Sequence, residues 1–283
     1  MVMTQIVTLG TLYLVGTPIG NLEDMTFRGI RILEEVDLIA AEDTRHTKKL
    51  LQHFQITTPQ ISYHQHNQGF RTGELIAKLQ TGINIALVTD AGMPSISDPG
   101  YVFVREAIAN SICVIPIPGV SAAITALAAS GLTTERFVFE GFIPVKGRAR
   151  SDRIDEIVRE TKTTIFYEAP HRLLTTLQDL ATALGEDREI VLGRELTKVH
   201  EEFWRGTLGG AIALCQERKP KGEYTIVVAG ANTSKEILLS ESQIKEELQQ
   251  LLQQGMTRSQ ASRHLAKLSS LSRQEIYQLT LDL

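Results

Sequence analysis

Ala86-Leu-Val-Thr-Asp90-Ala-Gly92-Met-Pro94-Ser-Ile-Ser-Asp98-Pro99-Gly100 is the stretch from which the rest of this chain can be read. Its apolar start, Ile85 to Val88, has the length and composition of a buried strand. The strand runs into a turn dense in Gly, Pro, Asp and Ser, which continues neither helix nor strand. Small residues there let a ligand approach the backbone, while Asp90, Ser95, Ser97 and Asp98 offer oriented polar groups. A single loop of this kind is ordinary, but the same grammar recurs along the chain. It returns in Gly16-Thr-Pro-Ile-Gly20, in Glu42-Asp-Thr-Arg45-His46 and in Pro118-Gly-Val-Ser121.

Working outward, Thr11–Val15, Leu38–Ala41, Ile85–Val88 and Cys113–Ile117 read as strands. They alternate with helices over 26–35, 47–53, 73–80, 102–109 and 120–129. Alternation of this kind predicts an α/β fold with a largely parallel sheet. A second set follows the boundary placed near Pro118. Strands at 136–142, 163–167, 189–192, 202–205 and 224–228 are interrupted by helices over 152–160 and from 170 to 184. The segments 189–192 and 202–205 have no helical crossover between them, so they are expected to pair antiparallel. The expected domains are therefore 1–118 and 119–230, then a polar linker at 231–239 and a helical module at 240–283. Capping boxes at Ser240/Gln243, Thr257/Gln260 and Ser272/Glu275 mark three helix starts in that module. With Arg258, Arg263, His264 and Lys267 on its second helix, it resembles a helix-turn-helix.

With 33 acidic against 29 basic residues, the net charge of −4 excludes a protein that coats nucleic acid by bulk electrostatics. Any such binding needs a local patch, and Lys146, Arg148, Arg150 and Arg153 read as a basic, phosphate-binding loop. The uncharged run from Asn110 to Thr134 is broken by Pro116, Pro118 and Gly119, so it is not read as a membrane span. Cys113 and Cys215 are far apart and read as two buried free thiols of a cytoplasmic protein. Gly16 to Gly20 lacks the spacing of a dinucleotide or Walker loop. His64 and His66 share a face in an extended segment, yet no third ligand stands near in sequence, and no metal is expected.

Taken together, several stretches resemble the tetrapyrrole methylase superfamily. They are 10–22, Ala41-Glu-Asp-Thr-Arg-His46, the Asp90–Gly100 loop, Pro118-Gly-Val-Ser-Ala122, Phe166-Tyr-Glu-Ala-Pro-His-Arg172, Gly193-Arg-Glu195 and His200 to Leu208. Within it they are similar to members that methylate a cytidine ribose 2'-oxygen of small-subunit (16S) ribosomal RNA near the decoding centre. The resemblance implies two α/β domains with a cofactor cleft between them, S-adenosylmethionine as cofactor, and a cytoplasmic homodimer. It implies cofactor contacts from Pro18, Asp90, Ala91, Gly92, Ile96, Ser121, Ala122, Tyr167, Glu168 and Thr225. Met93 and Val120 depart from the family's more usual Thr and Pro. Asp43, Arg45, Asp98 and Glu168 are the candidates for proton removal or ribose orientation, and Lys146, Arg148 and Arg150 for RNA phosphates. The competing readings are C-methylation of a corrin precursor and, from another class, a DNA-binding regulator acting through the C-terminal helices.

Overall fold

The computed structural model describes residues 8–231, 241–265, 271 and 273–280. Residues 8–230 form one compact unit containing two five-stranded sheets. In the first sheet, β1 (Thr11–Val15), β2 (Leu38–Ala41), β3 (Gln60–Ser62), β4 (Ile85–Val88) and β5 (Cys113–Ile117) lie in the order β3-β2-β4-β1-β5, and all pairs are parallel. Four helices cross between them: α1 (Phe27–Glu35), α2 (Thr44–His53), α3 (Gln68–Gln80) and α4 (Tyr101–Ala109). Period-2 alternation divides the strand side chains between two cores. Ala86 and Val88 join Ile32, Leu33 and Leu51 from α1 and α2, while Ile85 and Leu87 join Leu75, Leu79 and Phe103 from α3 and α4. A strand buried on both faces is therefore apolar throughout, as the 85–88 run predicts.

The second sheet is mixed. Strands β6 (Phe137–Phe142), β7 (Thr163–Glu168), β8 (Glu189–Arg194), β9 (Glu202–Thr207) and β10 (Tyr224–Val228) lie in the order β6-β7-β10-β8-β9. Only β6 and β7 are parallel; the expected antiparallel pairing of 189–194 with 202–207 is observed. One face carries α6 (Arg148–Arg159), α7 (Pro170–Leu184) and α8 (Leu208–Glu217), packed on Phe166, Ile190, Leu192 and Ile226. The other face carries α5 (Ala122–Ser130), with Ile165, Val191 and Val227 beneath Ala123, Ala126 and Leu127. Ile19, from the loop after β1, packs into this same cluster and joins the two halves.

Several details differ from the sequence reading, among them the starts of α2 and α3, which lie three and five residues earlier than expected. The helix expected from Asp152 begins four residues earlier, so Arg148 and Arg150 are helical and not part of a loop. Cys113 is exposed because β5 is an edge strand; Cys215 is buried as expected. Strand β3 and helix α8 carry too little pattern to be read in advance, the first being three half-buried residues. Among the described residues no helix is long and apolar enough to cross a membrane.

The C-terminal unit is helical, with α9 (Glu241–Gln253), α10 (Arg258–Leu265) and α11 (Arg273–Leu279) around Ile244, Leu248, Ala261, Leu265 and Ile276. The Thr257 capping box forms: the Thr257 N–H donates to Gln260 Oε1 at 3.0 Å and the Gln260 N–H to Thr257 Oγ1 at 3.3 Å. The linker over 232–239, Lys267, and the boxes headed by Ser240 and Ser272 lie outside the described residues.

Candidate functional site

In a parallel sheet every strand delivers its loop to the same edge, and ligands gather where neighbouring strands send the chain in opposite directions. Here the chain leaves β1 toward β2 and leaves β4 toward β5, so the loops after these central strands bound a crevice. The two loops are stitched together: the Thr17 N–H donates to the Gly92 carbonyl at 2.9 Å and the Gly92 N–H returns to Thr17 at 3.0 Å. Gly92 sits at φ +79, where a side chain would be strained. The loops after β1 and β5 meet backbone to backbone, since a Cβ on Gly16 would stand 2.7 Å from Gly119 Cα. The Met93 sulfur crowds the same side of Gly16, which gives this departure from the family pattern a packing role.

The loop after β4 holds Asp98 under strain. Ser95 and Ser97, which precede it, sit at φ +74 and +61, conformations that cost roughly 1–3 kcal/mol each. Ser97 abuts Gly141 at the bulge of β6, so the loop reaches the second half. Burial pushes the Asp98 carboxyl up to about 7, and the carboxylates of Glu42 and Asp90 add to the effect. From the second half, Tyr167 faces Asp98 and the start of α5, its ring edge-on to Phe139 and Phe142. Glu42, which sequence reasoning passed over, is the pivot of this cluster. The Asp90 N–H donates to Glu42 Oε2 and the Asp43 N–H to Asp90 Oδ1, both at 3.2 Å. Burial raises the Glu42 carboxyl, while the Asp90 N–H and the nearby His64 restrain it. His64 thus has an acidic neighbour that spacing along the chain hides, although no group of three metal-ligating side chains occurs among the described residues.

Most residues implied by the resemblance meet at this crevice. Pro18, Asp90, Ala91, Gly92 and Ile96 come from the loops after β1 and β4, and Ser121 and Ala122 from the start of α5. Thr225 lies opposite Tyr167 in the β10–β7 ladder, on the α5 face of the sheet. Ala91 is exposed and Ser121 and Ala122 are half-buried, all three have small side chains that let a ligand approach the backbone, and Ser121 spends no side-chain bond on capping α5. Such a lining suits a ligand with an apolar body and a few polar groups.

Three candidates are displaced. Glu168, one residue beyond Tyr167, points to the opposite face by strand alternation. Its side chain is wholly buried, accepting from Thr176 Oγ1 at 2.6 Å and from the Ala169 N–H at 2.9 Å, with Arg172 at 3.3 Å. It therefore neither removes a proton at the crevice nor contacts a cofactor there. Arg150 joins the same network: its guanidinium donates to Asp179 Oδ2 at 2.6 Å, Thr176 Oγ1 at 3.1 Å and the Pro144 carbonyl at 3.0 Å. At a buried position in line with Ile154 and Ile157, it spends four of its five N–H donors inside the protein and is badly placed to hold a phosphate. Asp43 caps α2 and pairs with Arg45 at 2.7 Å, and that guanidinium holds its carboxyl well below the usual range, leaving a poor base. The His200-Glu201-Glu202 acids are also spent: Glu201 accepts the Thr197 N–H, and Glu202 pairs with Arg194 and Arg218.

The family profile of Tetrapyrrole (Corrin/Porphyrin) Methylases matches residues 11–212. A Synechocystis protein named ribosomal RNA small subunit methyltransferase I is 58% identical, over 97% of this chain and 99% of that one. A Bacillus subtilis protein of the same name is 45% identical, over 95% and 93%. Among solved structures, diphthine synthase superposes with a TM-score of 0.62 at 15% identity, over 78% of this chain and 90% of that one. Uroporphyrin-III C-methyl transferase from Thermus thermophilus, complexed with S-adenyl homocysteine, does so at 0.55 and 17%, over 77% and 97%. At such identities the superpositions establish the fold.

Proposed function

The chain belongs to the tetrapyrrole methylase family, and from that premise we propose that it is an S-adenosylmethionine-dependent methyltransferase acting on small-subunit ribosomal RNA. The acceptor in this reading is the 2'-oxygen of a cytidine ribose near the decoding centre, and the enzyme works as a cytoplasmic homodimer. The observation that carries it is the meeting of the loops after β1, β4 and β5 with Tyr167 and Thr225 around one crevice. The relatives named for small-subunit ribosomal RNA methylation, similar over nearly the whole chain, support the acceptor class.

S-adenosylmethionine supplies, when bound, an activated methyl on a sulfonium. The chain then has two tasks, to hold acceptor oxygen and methyl carbon in line and to take one proton from the hydroxyl. Pro18, Ala91, Gly92, Ile96, Ser121 and Ala122 would enclose the cofactor, with Tyr167 and Thr225 closing the second-half wall. Asp98 would take the proton: with its carboxyl titrating near 7 it is both substantially ionised and basic enough at neutral pH. Lys146 and Arg148, both exposed, remain available to RNA phosphates.

The test is transfer of labelled methyl groups to undermethylated small ribosomal subunits, followed by nucleoside analysis. Label in 2'-O-methylcytidine is expected. Its absence, with cofactor binding intact, would refute the acceptor and turn attention to soluble tetrapyrroles.

A further inference from the structure

Beside the crevice lies a cavity of about 270 Å³. Its lining combines the apolar Pro18, Leu22 and Leu50 with His46 and Lys49 of α2 and with Asp90. Pro18 and Asp90 belong to the cofactor crevice as well, so the two spaces share a boundary. A lining that mixes apolar side chains with an imidazole, an ammonium and a carboxylate matches a flat heterocycle carrying hydrogen-bond donors and a sugar.

The rim of this cavity is basic. Arg45, Lys48 and Lys49 stand at i, i+3 and i+4, hence on one ridge of α2. All three are exposed. Arg45 pairs with Asp43, whereas Lys48 and Lys49 enter no ion pair among the described residues. In a chain of net charge −4, attraction for a polyanion must come from a local ridge of this sort. The other basic segment is largely neutralised: Arg150 is buried on Asp179, Arg153 pairs with Glu140 and Glu156, and Arg148 lies 3.6 Å from Asp152, leaving Lys146 as its one exposed cation without an ion pair among the described residues.

Building on the RNA-methylating reading above, we infer that this cavity seats the target nucleoside and that Lys48 and Lys49 grip the phosphates flanking it. The phosphate contacts set register and most of the affinity, while the cavity beside the crevice presents the ribose to the methyl donor.

The full-length protein tests this in steady-state methylation of undermethylated small ribosomal subunits. In Lys48→Ala/Lys49→Ala the apparent KM for subunits should rise about tenfold, and the slope of log affinity against log salt should fall by about 1.4. Affinity for S-adenosylmethionine by calorimetry and the melting temperature should stay at wild-type values. Leu22→Trp, which fills the cavity from a half-exposed position, should lower kcat/KM at least as much with cofactor affinity retained. A wild-type KM and salt slope in the double variant would overturn the inference while leaving the RNA reading in place. Failure of the wild-type protein to label subunits at all would refute the reading itself, and this inference with it.

Discussion

The charged cluster around α6 and α7 in the second half and the charged groups around the crevice in the first are disposed in opposite ways. In the second half, cations and carboxylates are folded into one another: Arg150 and Asp179, Arg172 and Glu168, Arg153 and Glu140, with Thr176 bridging Arg150 to Glu168. Around the crevice of the first half they are left unbalanced, while elsewhere in that half Arg31, Arg71 and Arg105 pair with Glu35, Glu74 and Glu106. Asp98, Glu42 and Asp90 crowd one another with no cation against Asp98, and Lys48 and Lys49 face solvent without acidic partners among the described residues. Internally neutralised charge specifies a structure; unneutralised charge is available to a ligand, and it lies around the crevice and the cavity beside it. The difference turns on topology. The all-parallel sheet sends its polar loops to one edge, whereas Glu168 of the mixed sheet is turned under α7.

The sharpest way to break this contrast is Asp98→Asn. If the crowded carboxyl is the base, the substitution should lower kcat by about 10²–10⁴-fold. The wild-type rate should rise with pH and level off above about 7, where Asp98 is ionised. Stability follows the same group with its own sign. A carboxyl raised above its unfolded value of about 4 keeps its proton longer in the native state, so stability declines as pH rises from about 4 to about 7, then flattens. Asp98→Asn should remove that component, measured as urea midpoints across the range. An unaltered pH–rate profile in the variant would return the base to some other residue.

Arg150→Ala comes next and acts on stability. Removing a buried guanidinium takes a partner from Asp179, Thr176 and the Pro144 carbonyl, at a cost of roughly 1–3 kcal/mol in denaturant unfolding. The folded fraction should bind RNA as the wild type does. A loss of RNA affinity with stability intact would place Arg150 back among the substrate contacts.

Much of this contrast was written in the sequence, but not all of it was legible. The apolar 85–88 run and the regular alternation before Pro118 reveal the parallel sheet because strands buried on both faces need no partner to be recognised. The position of β10 between β7 and β8 has no local signature, since it depends on pairing across long sequence separations. The fate of Arg150 could have been read: it stands four and seven residues before Ile154 and Ile157, a buried helical stripe. Reading 146–150 as a loop because of Gly147 hid that stripe. Glu168 fell to the same oversight, as adjacent strand residues cannot both face one crevice. The Glu42–Asp90 exchange and the approach of His64 link separate loops, which no spacing along the chain discloses.

The smallest effect tests the contrast within the second half itself. Arg148 keeps 93% of its side chain in solvent, beside Asp152 at 3.6 Å. An exposed pair of this kind contributes about 0–1 kcal/mol, so Arg148→Ala should shift unfolding by no more than about 0.5 kcal/mol. As a single cation beside arginines that are already paired, it should raise the KM for subunits less than about threefold, against about tenfold for the lysine pair on α2. A loss matching that of Lys48→Ala/Lys49→Ala would mean that RNA is held equally by both halves. The path of the strand would then run from α2 across the crevice to the start of α6, and neutralisation of the neighbouring arginines would be a way of isolating one anchor.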